Sequence, residues 1–177
     1  MNINKTIIEG AYIIERAIGG DERGYFSRVA DIAELKNAGI NADFVQYNLS
    51  RNTVKGVLRG LHSQVAGFAE DKLITCTNGE IYDVCVDVRK DSLTYGKYVG
   101  QILSEQNGKS LYIPKGCAHG YITLTDNAQA LYFSTQVYAP NVEVGYNWKD
   151  PMFSIDWPIE PTIISKKDDS WTFVSER

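Results

Sequence analysis

Metal-ligating side chains are scarce in this sequence, which has two histidines and three cysteines among 177 residues. An enzyme metal centre usually takes three or more protein ligands at matched spacing, and two histidines fall short of that number. Cys76, Cys85 and Cys117 have no metal-binding spacing and stand inside apolar runs, where a free thiol behaves as a small hydrophobic group. We therefore expect reduced core cysteines and no metal site.

Long apolar runs and basic clusters are also missing. A membrane-spanning helix needs about 18 consecutive apolar residues, so no membrane partner is expected. Residues 1–9 lack the charged and then apolar order of a secretory signal, which favours a cytoplasmic location. The net charge of −4 comes without a basic stripe that could neutralise a polyanionic backbone, and nucleic-acid binding is therefore not expected.

Short segments rich in Val, Ile, Tyr and Thr recur along the chain, bounded by Gly, Asn, Asp or Pro, and this pattern is typical of many short strands. The clearest predicted strands cover residues 72–77, 80–88, 97–103, 109–113 and 131–138. Asn78-Gly79 predicts a hairpin between the first two. One short helix is predicted over residues 31–38, with Asp31 as its cap, Glu34 as the capping-box partner and Gly39 as its end. Residues 1–177 are expected to form one domain.

Many short strands without long helices leave a sandwich, a jelly roll or a closed barrel as the fold. The spacing of Gly108, Pro114, Gly116, His119 and Thr123 resembles the second cupin motif, which usually ends in Asn. Pro114 and Gly116 favour a tight turn that delivers His119 to the start of a strand. We therefore predict a mainly β fold, the cupin double-stranded β-helix or jelly-roll barrel, with a short peripheral helix. The histidine pair of the first cupin motif is absent.

Residues 44–64 read FVQYNLSRNTVKGVLRGLHSQ, and this segment resembles the dTDP-4-dehydrorhamnose 3,5-epimerases. Further matching motifs extend over most of the chain; they include residues 21–26, 72–89, 92–96, 113–121 and 148–158. The resemblance implies a cofactor-free homodimer with strand exchange near the N-terminus. It also implies inversion at carbon 3, carbon 5 or both of a nucleotide-linked 4-keto-6-deoxy sugar.

Such an epimerisation needs a base, a stabiliser for the enolate oxygen, and an acid on the opposite face of the sugar. His62 suits the base, since imidazole titrates close to neutral pH. Lys72 opens a strand and is the candidate for stabilising the oxygen, while the resemblance of the Leu131-Tyr132 segment assigns the acid to Tyr132. By resemblance, the carboxylate that orients His62 is Asp168. Asp169 and Asp83 stay open as rivals for that position.

Substrate binding is assigned by the same resemblance. Arg23 and Arg59 are expected at the diphosphate, because a guanidinium binds such groups through paired hydrogen bonds. The full set of expected binding residues is Arg23, Phe26, Arg28, Gln46, Asn48, Arg59, His119 and Tyr138. In a regular strand Arg59 and His62 would face opposite sides, so we predict a break in the alternation at Gly60.

Three positions depart from the family pattern. Arg28 stands where the family usually has Glu, Ser63 where a bulky residue is common, and Phe133 where Lys is common. Ser63 and Phe133 are expected to make the pocket near the sugar larger or less polar. Together with Arg28, they are compatible with a nucleotide base other than thymine. The alternatives left open are a ketoisomerase, a cupin that binds a nucleotide sugar without catalysis, and, least favoured, a metal-dependent dioxygenase.

Overall fold

Two large β-sheets carry the fold in the computed structural model, which describes residues 1–176. In chain order the strands are β1 Asn2–Lys5, β2 Tyr12–Glu15, β3 Gly19–Asp21, β4 Gly24–Phe26, β5 Gln46–Arg51, β6 Val57–Gln64, β7 Lys72–Asn78, β8 Glu80–Asp87, β9 Tyr98–Ser104, β10 Lys109–Ile113, β11 Cys117–Thr123, β12 Gln129–Ser134, β13 Glu143–Gly145 and β14 Ile163–Ile164. The helices are α1 Ile32–Asn37 and α2 Lys166–Asp169, with short 3-10 turns at Pro140–Val142 and Val174–Glu176.

The first sheet has the order β1-β2-β10-β7-β12-β5, and the second has the order β13-β6-β11-β8-β9 with β14 pairing in parallel to β6. Strands β3 and β4 form a hairpin that pairs with neither large sheet. The chain passes repeatedly from one sheet to the other, as in a jelly roll. This arrangement confirms the predicted cupin-type barrel.

Apolar side chains fill the space between the two sheets and cover both outer faces. The inner core combines Ile74 and Leu111 of the first sheet with Ile81 and Tyr121 of the second. Helix α1 covers the outside of the first sheet, where Leu35 packs in one cluster with Leu73. Because both sheets are covered on both faces, β11 is buried along its whole length. Cys76, Cys85 and Cys117 are free and buried, as predicted.

The predicted hairpin at Asn78-Gly79 is wrong. The chain does turn there, and Gly79 has a φ of +69°. However, β7 pairs with β10 and β12 in the first sheet, whereas β8 pairs with β9 and β11 in the second. The turn is therefore a corner between sheets: both strands are buried centre strands whose hydrogen-bonding edges are already occupied.

The predicted helix is present as α1, and the Asp31 carboxylate accepts hydrogen bonds from the backbone N–H groups of Ala33 and Glu34. Gly39 follows it with a φ of +77°. The proposed capping box is wrong in its second half, because Glu34 accepts a hydrogen bond from the Met1 amino group at 2.7 Å. Helix α2 was not predicted, since a single turn gives no periodic pattern.

The predicted break at Gly60 is confirmed by the pairing of β6 with β11. His119 lies opposite His62, and Tyr121 lies opposite Arg59, so two steps along β11 match three along β6. Gly60 has a φ of +115°, and a Cβ atom there would lie 2.5 Å from the Gly120 Cα. The extra residue rotates the strand, and Arg59 and His62 therefore face the same cavity.

Candidate active site

A cavity of about 620 Å³ opens between the two sheets. Nine of the residues predicted for catalysis or binding line it: Gln46, Asn48, Arg59, His62, Lys72, His119, Tyr132, Tyr138 and Asp168. Its size is that of a typical small-molecule site. Lys72 and Tyr132 come from the first sheet, while His62 and His119 come from the second, so groups from opposite walls meet in one space.

His62 is hydrogen-bonded to Asp168, which the sequence analysis favoured over its neighbour. The His62 Nε2 and Asp168 Oδ1 atoms are 2.7 Å apart, and Asp168 is buried. Burial alone raises the pKa of the Asp168 carboxyl, but the hydrogen bond and charge of His62 bring that pKa below its ordinary value. Asp169 is exposed to solvent. With Nε2 donating to a carboxylate, Nδ1 is the His62 nitrogen left to accept a proton.

Helix α2 positions the Asp168 carboxylate. The Ser165 hydroxyl caps this helix by accepting a hydrogen bond from the Asp168 N–H at 3.0 Å. The backbone N–H of Gly60 reaches the second carboxylate oxygen at 3.4 Å. Gly60, at the break in β6, and the capped helix α2 thus both fix the position of the Asp168 carboxylate.

A second histidine–carboxylate pair lies deeper in the cavity. His119 Nε2 is 2.7 Å from Asp83 Oδ1, and Asp83 is fully buried. Asp83 shares one face of β8 with the core residues Ile81 and Cys85, where a buried acid needs a partner, and His119 supplies it. The ring of His119 packs against Tyr132, with centroids 5.9 Å apart. Asp83 is therefore the partner of His119 and not of His62.

Tyr132 and Lys72 project from the wall opposite His62. Burial and the neighbouring Tyr121 hydroxyl raise the pKa of the Tyr132 phenol well above its ordinary value, so the phenol is protonated at neutral pH. The side chain of Lys72 is only 15% exposed. Its Nζ atom is 3.1 Å from Glu70 Oε1, so it forms an ion pair inside the cavity.

Arg59 is held by polar groups of the barrel wall. Its Nε donates to Asn52 Oδ1 at 2.8 Å, and the Asn52 amide donates to the Tyr121 hydroxyl at 3.1 Å. Among the described residues that line the cavity, Arg59 is a cation that forms no ion pair, while Lys72 and Lys167 each pair with a glutamate. Its positive charge is available to an anion.

Neutral groups form part of the cavity rim. The Gln46 amide donates to Asn48 Oδ1 at 3.0 Å, and Gln46 Oε1 accepts from the backbone N–H of Tyr138 at 2.9 Å. These contacts join β5 to the segment after β12. The amide and phenol groups there can offer hydrogen bonds to a polar ligand.

Arg23, Phe26 and Arg28 do not line the cavity of their own chain. Arg23 pairs with Asp21 at the tip of the β3–β4 hairpin, and its side chain is 84% exposed. Phe26 is 79% exposed, and Arg28 pairs with Asp31 at 3.1 Å. Arg23 and Phe26 belong to the β3–β4 hairpin, which pairs with neither large sheet. The hairpin therefore has no strand pairing that would place it beside the cavity.

The expected effect of Phe133 on the pocket is wrong. Phe133 packs in the outer cluster with Leu35 and Leu73, because it alternates with the inward-facing Tyr132. Ser63 does line the cavity. The charged cavity residues that were not predicted from the sequence are Glu70, Glu143 and Lys167. Only Lys167 had a signal, since it precedes Asp168 in the same short segment.

Within residues 1–176, no group of three or more His, Cys, Asp and Glu side chains is arranged to hold a metal ion. None of the helices in that range combines the length and apolar character of a membrane span.

A family model described as dTDP-4-dehydrorhamnose 3,5-epimerase matches residues 5–176. The chain belongs to this family. An Escherichia coli (strain K12) dTDP-4-dehydrorhamnose 3,5-epimerase is 43% identical over 171 residues, which cover 96% of this chain and 92% of the relative. The resemblance inferred from the sequence is thereby confirmed.

Two solved structures of epimerases illustrate the range of similar proteins. One is dTDP-6-deoxy-D-glucose-3,5-epimerase from Legionella pneumophila Philadelphia 1 in complex with dTDP-4-keto-L-rhamnose. It has a TM-score of 0.93 and 41% identity, covering 98% of this chain and 93% of that one. The other is a 3'-monoepimerase from Streptomyces bikiniensis in complex with dTDP-quinovose, with a TM-score of 0.91, 30% identity and coverage of 97% and 87%. A protein named as a 3,5-epimerase and a protein named as a 3'-monoepimerase thus share the barrel fold of this chain.

Proposed function

We propose that this family member inverts carbon 3, carbon 5 or both in a nucleotide-linked 4-keto-6-deoxy sugar through an enolate. The observation that carries the proposal is that the His62–Asp168 pair shares one cavity with Lys72 and Tyr132 of the opposite wall. Those groups are the base, the cation and the acid that the reaction requires. A binder without catalysis would have no need for such a combination.

In the proposed mechanism, His62 Nδ1 removes the proton from a carbon beside the carbon-4 ketone. The electrons of that C–H bond move onto the ketone oxygen, where the Lys72 ammonium stabilises the negative charge. The electrons then return from the oxygen as Tyr132 donates its proton to the opposite face of the same carbon. His62 releases its extra proton to solvent, and Tyr132 takes one up from solvent, so both side chains return to their starting forms. The substrate is neither oxidised nor reduced, so these steps use side chains alone.

Binding of the nucleotide is proposed at the outer part of the cavity. Arg59 supplies an unpaired cation for the diphosphate, and the amides of Gln46 and Asn48 supply neutral hydrogen bonds. Tyr138 and Lys167 add further polar contacts at the rim. His119, held by Asp83, is proposed to donate a hydrogen bond to the sugar. The free, buried cysteines fit the reducing cytoplasm, which stays the predicted location.

Heavy water tests the reaction and counts the carbons that react. The protein is incubated with dTDP-, CDP- and GDP-linked 4-keto-6-deoxy sugars in deuterium oxide, and the products are analysed by NMR and mass spectrometry. Each carbon that loses and regains a proton should carry a deuteron, so a double epimerase gives two labels and a single epimerase gives one. A ketoisomerase would move the carbonyl instead. Unlabelled sugar with all three nucleotides would refute the proposed function.

A homodimer is proposed to complete the site. The β3–β4 hairpin exposes Tyr25 and Phe26, and its Arg23 is separated from the cavity of its own chain. Exposed aromatic groups on a projecting element are typical of a surface that another chain covers. We propose that each hairpin reaches the cavity of a second copy, where Arg23 contacts the diphosphate.

Mixed dimers test whether the hairpin crosses between copies. Arg23→Ala should raise KM by roughly 10- to 100-fold through a lost charge-assisted hydrogen bond, whereas His62→Ala removes the base. The two variants are co-expressed with different tags, and the mixed dimers are purified. If the hairpins cross, one of the two sites combines an intact cavity with an intact hairpin, and about half of the parent activity returns. Mixed dimers as weak as the separate variants would contradict the crossing.

A further inference from the structure

Glu70 is a cavity residue for which the proposed mechanism has no role so far. Its side chain is 8% exposed, and its Oε1 lies 3.1 Å from the Nζ of Lys72. A carboxylate in such a place is unfavourable unless it is paired, and so is a lysine. The ion pair thus stabilises both charged side chains in the cavity wall.

The backbone between the two residues is fixed by Asp71. Its N–H donates to the Thr135 hydroxyl, and its two carboxylate oxygens accept from the Lys115 N–H and the Asn41 amide, each at 2.9 Å. Asp71 faces the loops outside the barrel, while its two neighbours face the cavity. Glu70 and Lys72 are therefore held on either side of an anchored residue, and their separation is set by the fold.

We propose that Glu70 is a positioning residue that directs the Lys72 ammonium at the ketone oxygen. This inference rests on the proposed function. A lysine ammonium has three donors, so one hydrogen bond to Glu70 leaves two for the oxygen on which charge develops. The 3.1 Å ion pair holds the Nζ atom of a long, flexible side chain in one place, and the two remaining donors therefore point into the cavity from a fixed position.

The other groups around Lys72 in the described part of the chain do not form an ion pair with it. Its register partners on the neighbouring strands, Ile113 of β10 and Ser134 of β12, do not titrate. The other titratable or charged side chains that line the cavity are Arg59, His62, His119, Tyr121, Tyr132, Tyr138, Glu143, Lys167 and Asp168. Of the three carboxylates that line the cavity, Asp168 pairs with His62 and Glu143 with Lys167. Glu70 is the carboxylate that pairs with Lys72.

Glu70→Gln tests the charge, because the amide oxygen still accepts a hydrogen bond from lysine but carries no charge. We expect kcat to fall roughly 5- to 10-fold in this variant, because a neutral acceptor holds the ammonium less firmly than a charged one. KM for the nucleotide sugar should change little. Glu70→Ala, which also loses the acceptor, should lower kcat further, and Glu70→Asp should restore part of it.

A second measurement needs no substrate. The rate of acylation of the Lys72 amine at one fixed pH is followed by mass spectrometry. Acylation should be faster in Glu70→Gln than in the parent, and faster still in Glu70→Ala, because the amine is no longer held by an ion pair. The matched control is Glu15→Gln, which breaks the Lys109–Glu15 pair and should alter neither kcat nor the acylation rate. Unchanged kcat and acylation rates in Glu70→Gln and Glu70→Ala would overturn the inference, even where the parent epimerises its substrate. A raised acylation rate in a protein without any exchange would instead count against the proposed function alone.

Discussion

Replacing His62 by Ala is expected to abolish deuterium exchange at both carbons while the nucleotide still binds. The imidazole is the proposed base for either C–H bond, and general base catalysis contributes about 100- to 10,000-fold. The side chain is 26% exposed, and its polar contacts are with the carboxylates of Asp168 and Glu143, not with the groups proposed for the nucleotide. NMR in heavy water measures the exchange, and titration calorimetry with the free nucleoside diphosphate measures the binding.

Two further variants separate loss of the base from loss of structure. His62→Gln keeps an amide that can donate to Asp168 but has no nitrogen that accepts a proton at neutral pH, so it should be as inactive as His62→Ala. Asp169→Asn changes an exposed carboxylate next to Asp168 and should leave exchange unchanged. Exchange retained at either carbon in both His62 variants would move the base elsewhere, and His119 with its partner Asp83 would be the next candidate.

His62 is a better candidate for the base than His119 because of its access to a ligand. His119 is buried, with 6% exposure, and its ring is packed against Tyr121 and Tyr132. The side chain of His62 is more exposed, and its Nδ1 lies 3.9 Å from Glu143 Oε1, which is beyond hydrogen-bond distance. Two histidine–aspartate pairs of equal length thus differ in burial, and the more accessible pair suits proton removal.

Period-two alternation predicted several inner and outer faces correctly. It places Asp83 and Asp87 on one face of β8 with Ile81 and Cys85, which directs at least one acid inwards, and the buried Asp83 and Asp87 both have partners. Alternation also places Arg59 and His62 on opposite faces of a regular strand, although both were expected in one pocket. The bulge predicted from this conflict at Gly60 is present. The same rule, applied to Phe133, would have turned that side chain away from the cavity.

Other features depend on contacts that no local pattern contains. Asn78-Gly79 has hairpin residues, but the strands on either side find partners in different sheets. Glu70 stands in a polar segment before β7, where a glutamate is usually exposed, and only the closed barrel brings it to Lys72 in the cavity. Arg23 and Phe26 follow the family pattern, yet they lie outside the cavity of their own chain. Local sequence therefore predicts faces and turns, while partners across the barrel come from the assembled fold.

Replacing Tyr132 by Phe is expected to separate proton exchange from inversion. The ring and its packing against His119 are kept, and only the hydroxyl is lost. His62 can still remove a proton and return one from solvent to the same face, so deuterium should enter the sugar with its configuration unchanged. Formation of inverted product should fall by about 100- to 10,000-fold, the usual contribution of a general acid. NMR of the recovered sugar gives both quantities in one sample.

Tyr112→Phe is the matched control, because Tyr112 is a buried tyrosine of the same sheet whose hydroxyl donates to the Asn41 carbonyl at 2.9 Å outside the cavity. It should cost about 1 kcal/mol of stability and leave inversion unchanged. Exchange and inversion that fall in equal proportion in Tyr132→Phe would show that the hydroxyl is needed to remove the proton. Inversion at the parent rate would assign the acid to another group, and Tyr121 lies close enough to be tested next, with its ring centroid 6.3 Å from that of Tyr132. The expected result, label without inversion, requires a base and an acid on opposite faces of the sugar, which is the arrangement that His62 and Tyr132 offer from opposite walls of the barrel.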